Sequence, residues 1–190
     1  MATKAQLEDE FKTYFDEMDK CEAAGCYWAL LHLVFMMPAF CAALEASNGQ
    51  STGPQYMAWC ASYLAEPMLD DWERYGIRCA LLHQGQTIPH DVKKHPPSRY
   101  PSVVYGRQGD PHLKTDLAGR LQLDVSALHT EMKGAVRDWF SAMLAAQPTP
   151  VLDSNLGKMA HMSLPRAPAP TQTAAVLPQG MVIQQDNKTY

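Results

Sequence analysis

The sequence predicts an all-α fold: a helical bundle of four to five helices, with a proline-rich, partly extended insertion before the last helix. Three observations carry this expectation. Apolar residues recur at three- and four-residue spacing near both ends of the first 146 residues, which marks amphipathic helices. Between them lies CYWALLHLVFMMPAFCAAL (26–44), a run of 19 residues that is apolar nearly all round. From Gly85 to about Arg120 the periodicity stops, and Pro89, Pro96, Pro97, Pro101 and Pro111 exclude long helices there.

The elements follow in order. Leu7, Phe11, Tyr14, Phe15 and Met18 place a first helix over 4–24, and Gly25 allows the chain to break. A second helix over 26–46 must be buried on most sides, and Pro38 predicts a kink or a seam between two shorter helices. The turn formers of SNGQSTGP (47–54) make a loop. A third helix over 54–65 carries Tyr56, Trp59, Cys60 and Tyr63, and a fourth over 67–84 carries Leu69, Trp72, Gly76, Cys79 and His83. In the insertion, SVVYG (102–106) and RLQLDV (120–125) have the composition of short strands, enough for a short β-hairpin. Asp124 and Ser126 offer N-cap oxygens to the last helix. That helix runs to about Ala146 on Leu128, Met132, Val136, Trp139, Phe140 and Met143. Residues 1–146 therefore read as one helical domain with 86–122 as its insertion. Residues 147–190, rich in Pro, Ala, Thr and Gln, read as a disordered tail.

Composition narrows the function. Apolar residues make up 46% of the 190 and charged residues 19%, the balance of a soluble globular domain. A net charge of -4 gives no global attraction to nucleic acid, so any RNA-facing patch must be local. The five cysteines, an odd number, all lie in apolar helical segments; they read as reduced thiols and place the protein in the cytoplasm. Cys21 and Cys26 lack the second pair that a zinc site needs, and the spacings of His83, His90, His95 and His112 fit no zinc pattern, so no metal and no cofactor are expected. The N-terminal MATKAQLEDEF is charged and does not read as a signal peptide. The apolar run contains His32 and Pro38 and has no basic flanks, so it reads as a core helix and not a membrane span.

The chemistry-bearing stretch is RYGIRCALLHQGQT (74–87). Arg78 and His83 stand five residues apart, about 140° apart around an ideal helix. They converge if the helix ends at His83, as Gly85 favours, or if two copies of this helix end cross at a two-fold interface. The plain structural alternative has Arg78 pairing with Asp71 or Glu73 and His83 capping its own helix. Brought together, the two residue types suit RNA cleavage without metal. Histidine can take the proton of a 2′-hydroxyl or return one to the leaving 5′-oxygen. A guanidinium can brace the extra charge of the pentacoordinate phosphate. Beyond the helix, Lys93, Lys94, Arg99, Tyr100 and Arg107 interleave cations with aromatics and form a candidate RNA-tracking segment, with a solvated loop as the plainer reading.

The string Arg78-Cys79-Ala80-Leu81-Leu82-His83-Gln84-Gly85 resembles the Arg-x4-His motif of the HEPN superfamily (higher eukaryotes and prokaryotes nucleotide-binding domain), in particular bacterial HEPN-like proteins with an RCxLLHQG-type string. The order of elements over about 7–146 is similar too. The resemblance implies a helical homodimer joined through the motif helix. It also implies a metal-independent endoribonuclease that leaves a 2′,3′-cyclic phosphate, with Arg78 and His83 as the catalytic pair. Such members are often toxins or antiphage effectors, controlled by an antitoxin or regulatory protein. Other members are non-catalytic modules for dimerisation or for partner or nucleotide binding. This sequence departs from many active members in placing Cys79, where they carry Asn, Asp or His, directly after the arginine.

Overall fold

The computed structural model describes residues 3–146 and 150–158. Its helices are α1 (Lys4–Ala23), α2 (Tyr27–Glu45), α3 (Gly53–Tyr63), α4 (Asp71–Gln84), α5 (Val125–Ala145) and α6 (Pro150–Leu156). Three short strands lie between α4 and α5: β1 (Val103–Gly106), β2 (Lys114–Thr115) and β3 (Leu121–Asp124). The protein is thus mainly helical, but not all-α.

α2 is the axis of the bundle. It touches α1, α3, α4, α5 and α6, which is why its sequence has no polar stripe. Leu30, Leu31, Val34, Phe35, Met37 and Cys41 are all buried along it. The expected seam at Pro38 is absent, because the helix continues through it. Pro38 itself is buried, so packing on several sides outweighs the lost hydrogen bond. This helix is long and apolar enough to cross a membrane, and half of that window is buried inside the fold. α1 and α5 close one side. Phe11 meets Trp139 and Phe140 at ring separations of 5.9 and 5.1 Å, and all three rings are buried. Each such ring contributes roughly 2–3 kcal/mol by leaving water.

The strands correct the expected hairpin. β1 and β3, four residues each, match the predicted pieces but pair in parallel, Val103 opposite Leu121 and Tyr105 opposite Leu123. The antiparallel partner of β3 is β2, which the two-residue length of Lys114–Thr115 hid from the sequence pattern. Val103, Leu121 and Leu123 turn their side chains into the core. At the end of β3 the Asp124 carboxylate caps α5 by accepting from the Ser126 and Ala127 amides, as its position predicted.

α4 starts later than expected. Asp70 is its N-cap and Glu73 completes a capping box, so Pro67–Leu69 lie in the turn before it. It stops at Gly85, whose φ of +61° is a left-handed conformation that glycine adopts without strain.

The boundary at 147 also moves. α6 lies in the segment read as tail, with Leu152, Asn155 and Leu156 buried. Its signal was too short to stand out: two leucines and an asparagine among prolines. Residues 159–190 of the expected tail lie outside the described residues.

Candidate functional site

α4 presents two faces. The inner face is fastened to the insertion. Gly76 makes this possible, since a Cβ there would sit 2.5 Å from the His90 carbonyl oxygen. His90 donates its amide to the Gly76 carbonyl across that gap. One turn earlier, Glu73 is fully buried. Arg99 reaches it with its backbone amide at 3.1 Å, Nε at 3.0 Å and Nη2 at 2.5 Å, and its Nη1 donates to the Pro67 carbonyl. Asp70 adds a second carboxylate 3.2 Å from Nη2. These carboxylates hold the Arg99 guanidinium firmly charged.

The outer face carries Tyr75, Arg78, Cys79 and His83. Positions 75, 79 and 83 repeat every four residues and so share one stripe, with Arg78 beside it. Arg78 Nη1 donates to His83 Nε2 at 3.2 Å, inside one chain. A guanidinium has no acceptor, so a neutral His83 holding this bond carries its proton on Nδ1. The convergence that the 140° separation made doubtful arises because the arginine is long and the helix ends at Gly85. Arg78 turns to His83 and not to Asp71 or Glu73, the plain structural partners; Glu73 is taken by Arg99. His83 is exposed and Arg78 half-buried.

Two tyrosines wall the guanidinium. Its carbon lies 5.8 Å from the Tyr56 ring centroid and 5.9 Å from that of Tyr75, within cation–π range. Gly53 of α3 leaves room for Tyr75, since a Cβ would fall 2.8 Å from its hydroxyl. Burial pushes the Tyr75 phenol up, and the neighbouring Cys79 adds to it. Tyr56 is raised well above the usual phenol range by full burial. Both therefore stay neutral and serve as walls, not as bases. Arg78 Nε is buried with no hydrogen-bond partner, and Nη1 also points at Cys79 Sγ, 3.9 Å away. The arginine is oriented by rings and retains donors to spare. One of these walls had a local signal: Tyr75 stands three residues before Arg78, one turn back on the same face.

The candidate RNA-tracking segment divides. Arg99 is exposed but engaged by Glu73, and Tyr100 is buried with its hydroxyl donating to the Met68 carbonyl. Lys93, Lys94 and Arg107 remain exposed.

One cluster with metal-ligand spacing was invisible in sequence, because its members lie on α1 and α5, more than 100 residues apart. Asp19, Glu22 and His129 bring a ligand atom each within 4.8 Å of one another. His129 is buried, with Nδ1 2.8 Å from Glu22 and Nε2 3.3 Å from Asp19. Lys133 already neutralises Asp19, holding both its oxygens at 2.6 and 2.8 Å. His112 is likewise structural: Nδ1 accepts the Asp124 amide and Nε2 donates to Glu131. Compared with family models, with curated proteins and with solved structures, the chain matches none.

Proposed function

We propose that this chain is a HEPN-like, metal-independent endoribonuclease of the cytoplasm, acting through Arg78 and His83 and cutting RNA to leave a 2′,3′-cyclic phosphate. The observation that supports it most is the 3.2 Å approach of Arg78 Nη1 to His83 Nε2 at an exposed helix end. His83 takes the 2′-hydroxyl proton on Nε2 once a phosphate draws the guanidinium away from it. Arg78, oriented by Tyr56 and Tyr75, places its remaining donors on the phosphate oxygens as charge builds. Lys93, Lys94 and Arg107 track the flanking backbone. The working unit is a homodimer joined through α4, with RNA as substrate, no cofactor and no membrane. An antitoxin or other regulatory protein restrains it as a toxin or antiphage effector.

Purified protein incubated with mixed structured RNAs in EDTA tests this. Wild type yields cyclic-phosphate ends, and His83→Ala yields none. Equal cleavage by both proteins, or none by wild type, defeats it.

A second reading has its own observation. Arg78 rests against two rings with Cys79 beside it, a setting that also suits a non-catalytic HEPN-like module for dimerisation or for partner or nucleotide binding. In that case wild type does not cut, while Arg78→Ala weakens self-association measured by sedimentation.

A further inference from the structure

A second arginine of α4, Arg74, forms no ion pair among the described residues. Arg74 is 3% exposed, yet among the described residues its side chain makes one hydrogen bond, from Nη2 to the Leu64 carbonyl at 3.3 Å, and its Nε is buried with no partner there. No carboxylate among the described residues pairs with it. Two ionisable groups near it, Cys60 and Tyr56, are held neutral: burial pushes the Cys60 thiol up to about 12 and the Tyr56 phenol well up. A buried, unpaired guanidinium is costly enough that proteins ordinarily supply it with an anion.

Beside it runs a groove of about 330 Å3 between the α3–α4 connection and α5, lined in part by Arg74, Tyr63, Glu66, Glu131, Gly134 and Asp138. Gly134 sits within α5, where glycine costs about 1 kcal/mol against alanine. Packing does not require it, since a Cβ built there meets nothing within 4 Å. The glycine leaves the groove open on the α5 side.

The lining has two signs of charge. A plain anion is drawn to Arg74 but repelled by three carboxylates, and a plain cation meets the reverse. We propose that this groove binds a small zwitterion of the α-amino acid class, its carboxylate on the Arg74 guanidinium and its ammonium group among Glu66, Glu131 and Asp138. Planar guanidinium and planar carboxylate match in a two-bond fork. Glu131 already accepts from His112, and Glu66 accepts from the Met68 amide; each keeps acceptor capacity beyond those bonds. The site is separate from the Arg78–His83 face and does not depend on the function proposed for it.

The test titrates the full chain with L-lysine, followed by NMR of the Gly134 amide and the Arg74 guanidinium. Cadaverine, which is lysine without its carboxylate, and acetate, which has no ammonium group, are the controls. L-Lysine shifts both signals saturably, and each control binds at least about tenfold more weakly, the worth of one charge-assisted pair. Gly134→Leu fills the groove and abolishes the shift at the Arg74 guanidinium. Should that variant fail to fold, Asp138→Asn, at an exposed position, weakens L-lysine several-fold instead. No saturable shift with L-lysine up to about 50 mM, a range that covers even weak small-ligand affinities, overturns the proposal. So does cadaverine binding as tightly as L-lysine, or a folded Gly134→Leu that binds like wild type.

Discussion

The two ends of α4 treat charge in opposite ways. At its start, Glu73 is fully buried and receives the Arg99 amide and two nitrogens of the Arg99 side chain. At its end, Arg78 and His83 share a single bond in view of solvent. Both are arginine pairs on one helix. The first is saturated and bridges 26 residues of chain; the second holds donors and a ring nitrogen that a substrate can claim. Saturation belongs to groups that hold a fold, and spare capacity belongs to groups that meet a ligand. Proximity of an arginine to a partner therefore says little by itself.

Breaking the saturated end has the largest expected effect. Glu73→Ala removes the capping-box acceptor, leaves Arg99 only Asp70 and the Pro67 carbonyl, and opens a hole at a fully buried site. Arg99 is 43% exposed, so water recovers part of the loss. A drop of about 3 kcal/mol in unfolding free energy is expected, below the full range for a broken buried pair. Urea denaturation reads it directly. Arg99→Ala should cost at least as much, because it leaves the fully buried Glu73 carboxylate without its cation. If Arg99→Ala costs clearly less, the cap and not the latch is what Glu73 supplies.

The inner side of α4 also predicts an alkaline weakness that begins at lower pH than that of the outer-face tyrosines, because an ordinary thiol titrates below a phenol. Cys60 of α3 is buried near Arg74, and its thiol is pushed from 9.0 up to about 12 mainly by desolvation. Above pH 9 the unfolded chain gives up this proton while the folded chain keeps it. Stability from this group is complete below pH 9 and is lost as pH rises towards 12. By about pH 10.5 the loss attributable to Cys60 reaches about 2 kcal/mol. Urea midpoints at the two pH values should fall together more steeply for wild type than for Cys60→Ala. Equal slopes would show that the thiol is not where burial places it.

Asn155 repeats the saturated pattern on a smaller scale. Its Nδ2 donates to the carbonyls of Ala43, Leu44 and Ala46, at 3.3, 3.1 and 2.7 Å, at the C-terminal end of α2, where helix carbonyls lack internal partners. Asn155→Ala should cost about 1–2 kcal/mol, the penalty for an unmet buried acceptor. Amide exchange at Leu152 and Leu156 should quicken with it. An unchanged exchange rate would mean that the two leucines dock α6 without the cap.

These sites mark how far the sequence could be read. The long helices were legible because 3.6-residue periodicity is a local signal: α1, α2, α3 and α5 lie within two residues of their expected bounds. The Arg78–His83 pair was legible because one helix end carries both residues. Whatever depends on distant pairing was not. Nothing local ties Glu73 to Arg99, or His129 to Glu22, 107 residues apart. Arg99 and Tyr100 looked like a basic, aromatic loop because composition cannot show that a buried carboxylate and the Met68 carbonyl lie opposite them. α6 was missed for the same reason: Asn155 means little until the end of α2 is beside it.

The smallest expected stability effect is the most telling for the comparison. His83 is exposed, its ring holds one bond of 3.2 Å, and Gly85 and not His83 ends the helix. His83→Ala should change unfolding free energy by no more than about 0.5 kcal/mol. Arg78→Ala should cost about 1 kcal/mol, because it also removes the contacts with Tyr56 and Tyr75. The order matters more than the sizes. If His83→Ala costs as much as Asn155→Ala, the outer pair is one more saturated contact and the contrast between the two ends of α4 fails. If it costs nothing while RNA cleavage disappears, the histidine at this helix end works on substrate and contributes nothing to the fold.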